Sequence, residues 1–199
     1  AKSGMWWENE GQRALANNSV AYKTKPEMGT FMREWVSLYE SKSGERGIFN
    51  RESAKKQAAK NGRRDTEHDF GCNPCSEIIL RPYQFCNLSE VVARAGDTEQ
   101  SLATKVGLAT ILGTFQSTLT DFKYLRKVWQ KNTEEERLLG VSLTGIMDNE
   151  MLSGNSATLG MNIAATLSLL RDEAVKTNEV LAKKLGIPQS TAITCVKPS

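Results

Sequence analysis

A thiol, an amide and a carboxylate lie close together on one short segment of this chain. Asn73, Cys75 and Glu77 alternate within residues 71–88, and Cys86 follows near the end of the same segment. A thiol can act as a nucleophile or a hydrogen-atom carrier, and a carboxylate can take a proton from a hydroxyl group. The segment therefore predicts sulfur redox or radical chemistry on a polar substrate.

The positions of these side chains depend on the local backbone. Residues 76–80 contain Ile78, Ile79 and Leu80 and are predicted to form a strand, which Arg81-Pro82 ends in a turn. If residues 73–77 are extended as well, Asn73, Cys75 and Glu77 face the same way, because side chains alternate along a strand. We therefore expect an extended loop that presents all three groups together.

The overall composition is that of a globular protein. The chain has 199 residues, of which 39% are hydrophobic and 25% charged, with a net charge of +3. This length fits one domain or a piece of a larger one, and so weak a positive charge predicts no nucleic-acid partner. No apolar run reaches membrane-spanning length and no signal peptide is recognisable, so we expect a cytoplasmic protein without a membrane partner.

The cysteines also fit a zinc site. The chain has four cysteines, too few for a disulfide scaffold, and three of them form the spacing H-x3-C-x2-C-x10-C with the single histidine. Tetrahedral zinc accepts three thiolates and one imidazole, here from His68, Cys72, Cys75 and Cys86. Against this reading, zinc requires neither Asn73 nor Glu77. A zinc-binding module is therefore one alternative.

Two other kinds of cysteine chemistry can be compared with the pattern. Cys72 and Cys75 form a C-x-x-C pair, as in thiol-disulfide oxidoreductases, but that motif opens a helix and apolar β-branched residues follow it here. A cysteine hydrolase needs a histidine base, and His68 lies in an acidic loop. The structural alternative is that Cys75 and Cys86 are small buried residues.

The hydrophobic pattern predicts strands that alternate with helices. Helices are expected at 28–43, 52–61, 99–119, 124–136 and 159–185, and short strands at 20–22, 47–50, 138–143 and 191–196. This alternation predicts an α/β fold with parallel strands.

The chemical segment resembles a known family. Asn73-Pro74-Cys75-Ser76-Glu77 and Phe85-Cys86-Asn87-Leu88 are similar to the catalytic finger loop of class II, adenosylcobalamin-dependent ribonucleotide reductases. Four further segments resemble the family in the same order: Ala16-Asn17-Asn18-Ser19-Val20, Gly44-Glu45-Arg46-Gly47-Ile48-Phe49-Asn50, Leu139-Gly140-Val141-Ser142-Leu143-Thr144-Gly145 and Thr194-Cys195-Val196-Lys197-Pro198-Ser199.

The resemblance implies a fold and a set of roles. The fold is a partial ten-stranded α/β barrel of the ribonucleotide reductase and glycyl radical type, with the finger loop, about residues 70–88, in its centre. Cys75 would carry a thiyl radical generated with adenosylcobalamin and remove the ribose 3′ hydrogen. Glu77 would be the base on the 3′ hydroxyl, Asn73 would hydrogen-bond the substrate, and Cys86 would be one of two redox-active thiols.

The resemblance also implies what lies beyond the chain. Residues 197–199 resemble the start of the substrate-phosphate loop, so Pro198 and Ser199 are candidate substrate-binding residues. The cysteine that pairs with Cys86 in the family has no counterpart upstream. We therefore expect residues 1–199 to be a fragment of a single catalytic domain, inactive alone. Its expected partners are a ribonucleotide, the remainder of the reductase and a thioredoxin- or glutaredoxin-type reductant.

Overall fold

The chain forms two compact units, Ala1–Pro82 and Tyr83–Ser199, and each is described by itself. The computed structural model describes residues 8, 18–41, 46–74, 76–154 and 163–194. The finger-loop segment spans the division between the units, so Asn73 and Glu77 lie in the first unit and Cys86 in the second. The assignment of the whole chain to one catalytic domain stays a prediction.

The first unit contains two parallel strands with a helix between them. Strand β1, Asn18–Tyr22, pairs in parallel with β2, Arg46–Asn50. Helix α1, Met28–Ser41, lies between them in the chain, as a parallel pair requires a crossover. These three elements confirm the predicted strands and helix within a few residues.

Helix α1 begins at a carboxylate cap. The Glu27 carboxylate accepts the backbone N–H groups of Gly29 and Thr30, each at 2.9 Å, and these bonds lower the pKa of the Glu27 carboxyl. Several of its large apolar side chains remain exposed within the described part of the chain: Met28, Met32, Trp35, Val36 and Tyr39. The apolar face of α1 is therefore largely uncovered by the residues that the structure describes.

A small core holds the base of the hairpin that follows. Helix α2, Arg51–Ala59, is capped by Asn50, whose side chain accepts the Ser53 N–H at 3.0 Å. The core comprises Ala54, Ala58 and Phe70, with Phe49 and Ile79 packed against it. The hairpin consists of the antiparallel strands β3, Gly71–Cys72, and β4, Ile79–Leu80. Because Ile79 belongs to β4, this core anchors the hairpin.

The second unit is built on a three-stranded parallel sheet. Its strands lie in the order β5, Asn87–Val92, β6, Leu139–Thr144, and β7, Ile193–Thr194. The central strand β6 is buried along residues 139–143, as is usual for parallel strands with covered faces. The parallel pairing of β5 with β6 and of β6 with β7 confirms the predicted α/β arrangement.

Helices connect the strands of this unit in the chain. They are α3, Glu99–Gln116, α4, Lys127–Glu136, the short α5, Glu150–Ser153, and α6, Ile163–Leu185. Apolar side chains of α3, α6, β5 and β6 form one cluster that includes Leu102, Val141 and Leu170. The predicted helices at 99–119 and 124–136 are confirmed with shorter bounds, and the described part of the third begins at Ile163.

Gly145, at the end of β6, is required by the close approach of the β5 end. Its φ is +73°, and a Cβ atom there would lie 2.3 Å from the carbonyl oxygen of Ala93. Glycine adopts this conformation without strain and leaves room for that carbonyl, whereas any side chain would clash with it. Gly145 thus keeps the ends of β5 and β6 together.

Strand β5 was not predicted, because its more buried side mixes the polar Asn87 and Ser89 with Val91 and hides the period of two. Within the described residues the strands form sheets of two, two and three members, so the partial ten-stranded barrel stays a prediction. None of the described helices has the length and apolar character needed to cross a membrane.

Candidate functional site

Asn73 closes the hairpin loop with both its backbone and its side chain. Its N–H donates to the Ile78 carbonyl at 3.3 Å, and its carbonyl accepts the Ser76 N–H at 3.0 Å. Its Oδ1 accepts the Ile78 N–H at 3.0 Å. Because Oδ1 is engaged in this way, the two N–H groups of Nδ2 are the donors that the side chain keeps for a ligand.

The expectation of an extended stretch from 73 to 77 is wrong. The bond from Ser76 to Asn73 closes a tight turn, and Ser76 has a φ of 66°, in the left-handed region. Pro74 favours this turn because its φ is fixed. The Asn73 side chain bonds the backbone of the loop, and this bond competes with the backbone hydrogen bonds that a strand would form. The predicted strand at 76–80 is therefore limited to Ile79–Leu80, and simple alternation does not place Asn73, Cys75 and Glu77.

Glu77 holds a buried carboxylate without a hydrogen-bond partner among the residues that the structure describes. Both of its carboxylate oxygens are shielded from solvent, and neither accepts a hydrogen bond in the described part of the chain. A buried carboxylate without a donor is strongly unfavourable. A buried group of this kind calls for an explanation, such as a catalytic role or a bound water or ion. Among the described residues of the hairpin loop, Glu77 therefore carries the strongest sign of function.

Cys72 does not open a helix. It is the last residue of β3, and its Sγ lies 3.5 Å from the Ser76 Oγ. A C-x-x-C redox motif places its first cysteine at a helix N-terminus, where the helix dipole lowers the thiol pKa. The hairpin provides no such helix at Cys72, so the alternative of a thiol-disulfide oxidoreductase is not supported.

His68 interacts with a carboxylate. Its Nε2 lies 3.2 Å from Asp65 Oδ2. The Glu67 N–H, together with the nearby His68 and Arg81, lowers the pKa of the Asp65 carboxyl. Among the described residues no three histidine, cysteine or acidic side chains are grouped closely enough to hold a metal ion.

Four residues singled out by the sequence lie outside the described residues. They are Cys75, Cys195, Pro198 and Ser199. The proposed radical carrier, the substrate-binding pair and one ligand of the zinc alternative therefore stay predictions.

Cys86 lines an apolar cavity in the second unit. The cavity has a volume of about 720 Å³. Its walls are largely apolar and aromatic, with contributions from Phe85, Leu119, Phe122, Tyr124 and Leu125. The Cys86 thiol is half-buried, and its Sγ lies 3.8 Å from the Asn87 carbonyl oxygen. The thiol thus lies at a cavity wall, immediately before β5.

An aromatic cluster fixes the residue before Cys86. The Phe85 ring stacks on Trp129 at 4.6 Å between centroids and meets Phe122 edge to face at 5.1 Å. Tyr83 contacts Trp129 edge to face at 5.8 Å, and the Arg126 guanidinium lies 4.3 Å from the centre of the Tyr83 ring. Such pairs stabilise beyond the area they bury. The segment before Cys86 is therefore held by the beginning of α4 and the loop that precedes it.

The sequence of the chain is similar to that of a named enzyme. The chain is 32% identical over 139 residues to an adenosylcobalamin-dependent ribonucleoside-triphosphate reductase of Lacticaseibacillus paracasei. The match covers 68% of this chain and 18% of that enzyme, so the chain spans about a fifth of the relative's length. No family model and no solved structure matches the chain. The similarity agrees with the family that the finger-loop motif resembles.

Sequence reasoning missed the residues that anchor Cys86. Gln84 and Glu136 are 5% and 0% exposed, and their side chains are 2.6 Å apart. Gln84 resembles an ordinary loop residue, and Glu136 ends a run of three glutamates that is typical of an exposed helix. Only the packing of α4 distinguishes Glu136 from its two neighbours.

Proposed function

We propose that this chain is the finger-loop part of an adenosylcobalamin-dependent ribonucleotide reductase. The observation that carries the proposal is the buried carboxylate of Glu77, which accepts no hydrogen bond from the described residues and lies in the loop that also contains Asn73 and Cys75. A radical enzyme that acts on a ribose needs a base for a hydroxyl beside its thiol, and this loop provides both groups. The similarity to the Lacticaseibacillus reductase supports the same assignment.

Each residue then has one role in a balanced reaction. The Cys75 thiyl removes the 3′ hydrogen atom, and the Glu77 carboxylate takes the 3′ hydroxyl proton. Asn73 donates an Nδ2 hydrogen bond to the substrate, while its Oδ1 stays bonded to Ile78. The 2′ hydroxyl leaves as water. Two thiols, one of them Cys86, supply two electrons and two protons and end as a disulfide. Glu77 then returns its proton to the 3′ oxygen, and Cys75 returns the 3′ hydrogen atom to the sugar.

The substrate phosphates and the external reductant belong to the same proposal. Pro198 and Ser199 would begin the loop that binds the phosphates, where backbone N–H groups suit an anion. A thioredoxin- or glutaredoxin-type protein would reduce the disulfide after each turnover. The relative's name specifies a ribonucleoside triphosphate, so triphosphates are the first substrates to test.

The cavity beside Cys86 does not fit adenosylcobalamin. A corrin ring carries many amide side chains that need polar partners, whereas the cavity beside Cys86 is mainly apolar. In this proposal the cofactor would supply the radical and would be bound away from this cavity. The roles of Asn73, Glu77 and Cys86 in this proposal are those that the resemblance implies, and their side-chain chemistry agrees with them.

An exchange of segments tests the proposal. This chain would replace the matching segment of the Lacticaseibacillus reductase, and release of deoxynucleotide would be measured with adenosylcobalamin and a dithiol. We expect a chimaera that releases product and loses this activity on Cys75→Ser. Cys72→Ser is the matched control and should retain activity, because Cys72 has no role in the proposed reaction.

A smaller exchange keeps the test decisive if the large chimaera does not fold. Only residues 71–88 would then be transferred, and circular dichroism would establish folding first. A folded enzyme that is inactive with the transferred loop, or one that remains active after Cys75→Ser, would contradict the proposed function.

A further inference from the structure

The segment around Cys86 is anchored on both sides by buried side chains. On one side, Gln84 Nε2 donates to Glu136 Oε2 at 2.6 Å and to the Asn132 carbonyl at 3.2 Å. On the other, the backbone N–H and the Nδ2 of Asn87 both donate to the Leu138 carbonyl, at 3.0 and 3.1 Å. The thiol thus lies between two fixed points only three residues apart in the chain.

The position of Glu136 is unfavourable for folding alone. It is fully buried, and it is the last residue of α4, where the helix dipole disfavours a negative charge. An apolar residue of similar size would avoid the desolvation of a carboxylate. The hydrogen bond that the Glu136 carboxylate accepts from Gln84 therefore explains why a carboxylate is found at this place.

What Glu136 holds is the segment of the redox thiol. The bond to Gln84 is short, as hydrogen bonds to carboxylates are, and it lies in a buried environment. The backbone of the same residue accepts the Thr191 N–H at 2.9 Å, which ties the end of α4 to the segment before β7. Glu136 therefore connects the Cys86 segment to the frame of the sheet.

We propose that Glu136 is a positioning residue for the Cys86 thiol. Its carboxylate fixes Gln84, and together with the Asn87 anchor this holds Sγ at the cavity wall. Within the proposed function, on which this part rests, the thiol acts on a substrate radical. Small displacements of a reacting group are expected to slow such a step by roughly a hundredfold.

Thiol alkylation tests the positioning without any turnover. In the 199-residue chain, Cys72, Cys75 and Cys195 would be replaced by serine, and the rate of Cys86 alkylation by iodoacetamide would be measured under native conditions. We expect Glu136→Ala and Gln84→Ala each to raise this rate about tenfold, the order of change that loss of a hydrogen bond to a charged group produces. The double variant should add little, because both changes remove the same contact.

Two variants separate positioning from general stability. Glu136→Gln retains an acceptor for Gln84 and should alkylate within about twofold of the parent, since a neutral bond is weaker but present. Glu135→Ala changes the exposed neighbour on the same helix and should leave the rate unchanged. An unchanged Cys86 rate in folded Gln84→Ala would overturn the proposal, and this variant also serves if Glu136→Ala does not fold.

A second readout distinguishes this proposal from the reductase assignment. In an active chimaera, Glu136→Ala should lower the rate of product release about tenfold or more while substrate-dependent radical formation at Cys75 persists, because Cys86 acts after that step. Equal loss of both would overturn the positioning role. An inactive chimaera with the expected alkylation pattern would leave Glu136 as the anchor of Cys86 and contradict the reductase function alone.

Discussion

The hairpin loop of the first unit and the Cys86 segment of the second unit are held in different ways. The hairpin loop is closed by bonds that Asn73 makes within the loop, and within the described part of the chain the Glu77 carboxylate accepts no hydrogen bond. The Cys86 segment is fixed from outside, by α4 and by the residue before β6. In our account, substrate completes the first region, whereas the scaffold alone sets the second.

The largest effect is expected from the radical position. Cys75→Ser in the active chimaera should reduce product release below detection and abolish substrate-dependent radical formation, because an alcohol is a much poorer hydrogen-atom carrier than a thiol. Electron paramagnetic resonance after rapid freezing measures the radical. A Cys75→Ser variant that releases deoxynucleotide at the parent rate would contradict the different roles assigned to the hairpin loop and the Cys86 segment.

Loss of the base should be nearly as severe. Glu77→Gln retains the size of the side chain and cannot take the 3′ hydroxyl proton, so kcat should fall by roughly 10²–10⁴-fold. The matched change at an exposed carboxylate of the first unit, Glu67→Gln, should leave kcat unaltered. A Glu77→Gln variant with a normal kcat would show that the buried carboxylate has another purpose.

The same substitution should have the opposite effect on stability. Removing a buried charge without a partner should raise the free energy of unfolding of the 199-residue chain by about 1 kcal/mol or more. Urea denaturation of the Glu77→Gln chain measures this. A decrease would mean that the carboxylate has a stabilising partner, and the hairpin loop would then resemble the Cys86 segment.

Asn73→Asp separates the two uses of the Asn73 side chain. Aspartate keeps an acceptor for the Ile78 N–H and loses the Nδ2 donors, so the loop should persist while kcat/KM falls about tenfold, as for the loss of one hydrogen bond to substrate. Asn73→Ala should lose both. If Asn73→Asp has the parent's kcat/KM, the asparagine is needed only to close the loop.

A smaller effect concerns how much two aspartates contribute to the stability of the fold as the pH falls. Asp97, in the turn between β5 and α3, accepts bonds from Lys105, the Arg94 N–H and Ser101, which lower its pKa from 3.8 to about 2. Because the folded pKa is the lower one, Asp97 stabilises the fold above pH 4 and loses this effect as pH falls towards 2.

An exposed pair in the first unit is the control for Asp97. Asp69 pairs with Lys23, and both side chains are about 60% exposed, so solvent should cancel most of that interaction. We expect Asp97→Asn to lower the urea midpoint at pH 6 and to match the parent near pH 2, whereas Asp69→Asn changes little at either pH. Equal effects at both positions would mean that the Asp97 network contributes no more than a surface pair.

Local pattern predicted much of the fold but not the anchors of the site. The long helix at Glu99–Gln116 and the buried strand at Leu139–Thr144 follow from periodicity and apolar runs, which act within a few residues. The turn at Ser76 depends on how Asn73 bonds the backbone, and the link between Gln84 and Glu136 joins residues far apart in the chain. A contact over 52 residues cannot be derived from spacing in a single sequence. The turn at Ser76 is local, but it depends on hydrogen bonds of Asn73 that periodicity does not show.

A single turnover of the chimaera tests the central claim most directly. The prereduced enzyme would receive one ribonucleoside triphosphate per chain without external dithiol, followed by alkylation and mass spectrometry of the finger-loop peptide. We predict that deoxynucleotide forms while Cys86 passes into a disulfide and Cys75 stays a free thiol. If product forms while Cys86 stays a free thiol and is fully alkylated afterwards, the division of roles between the two regions is contradicted. The same holds if Cys75 is found in the disulfide.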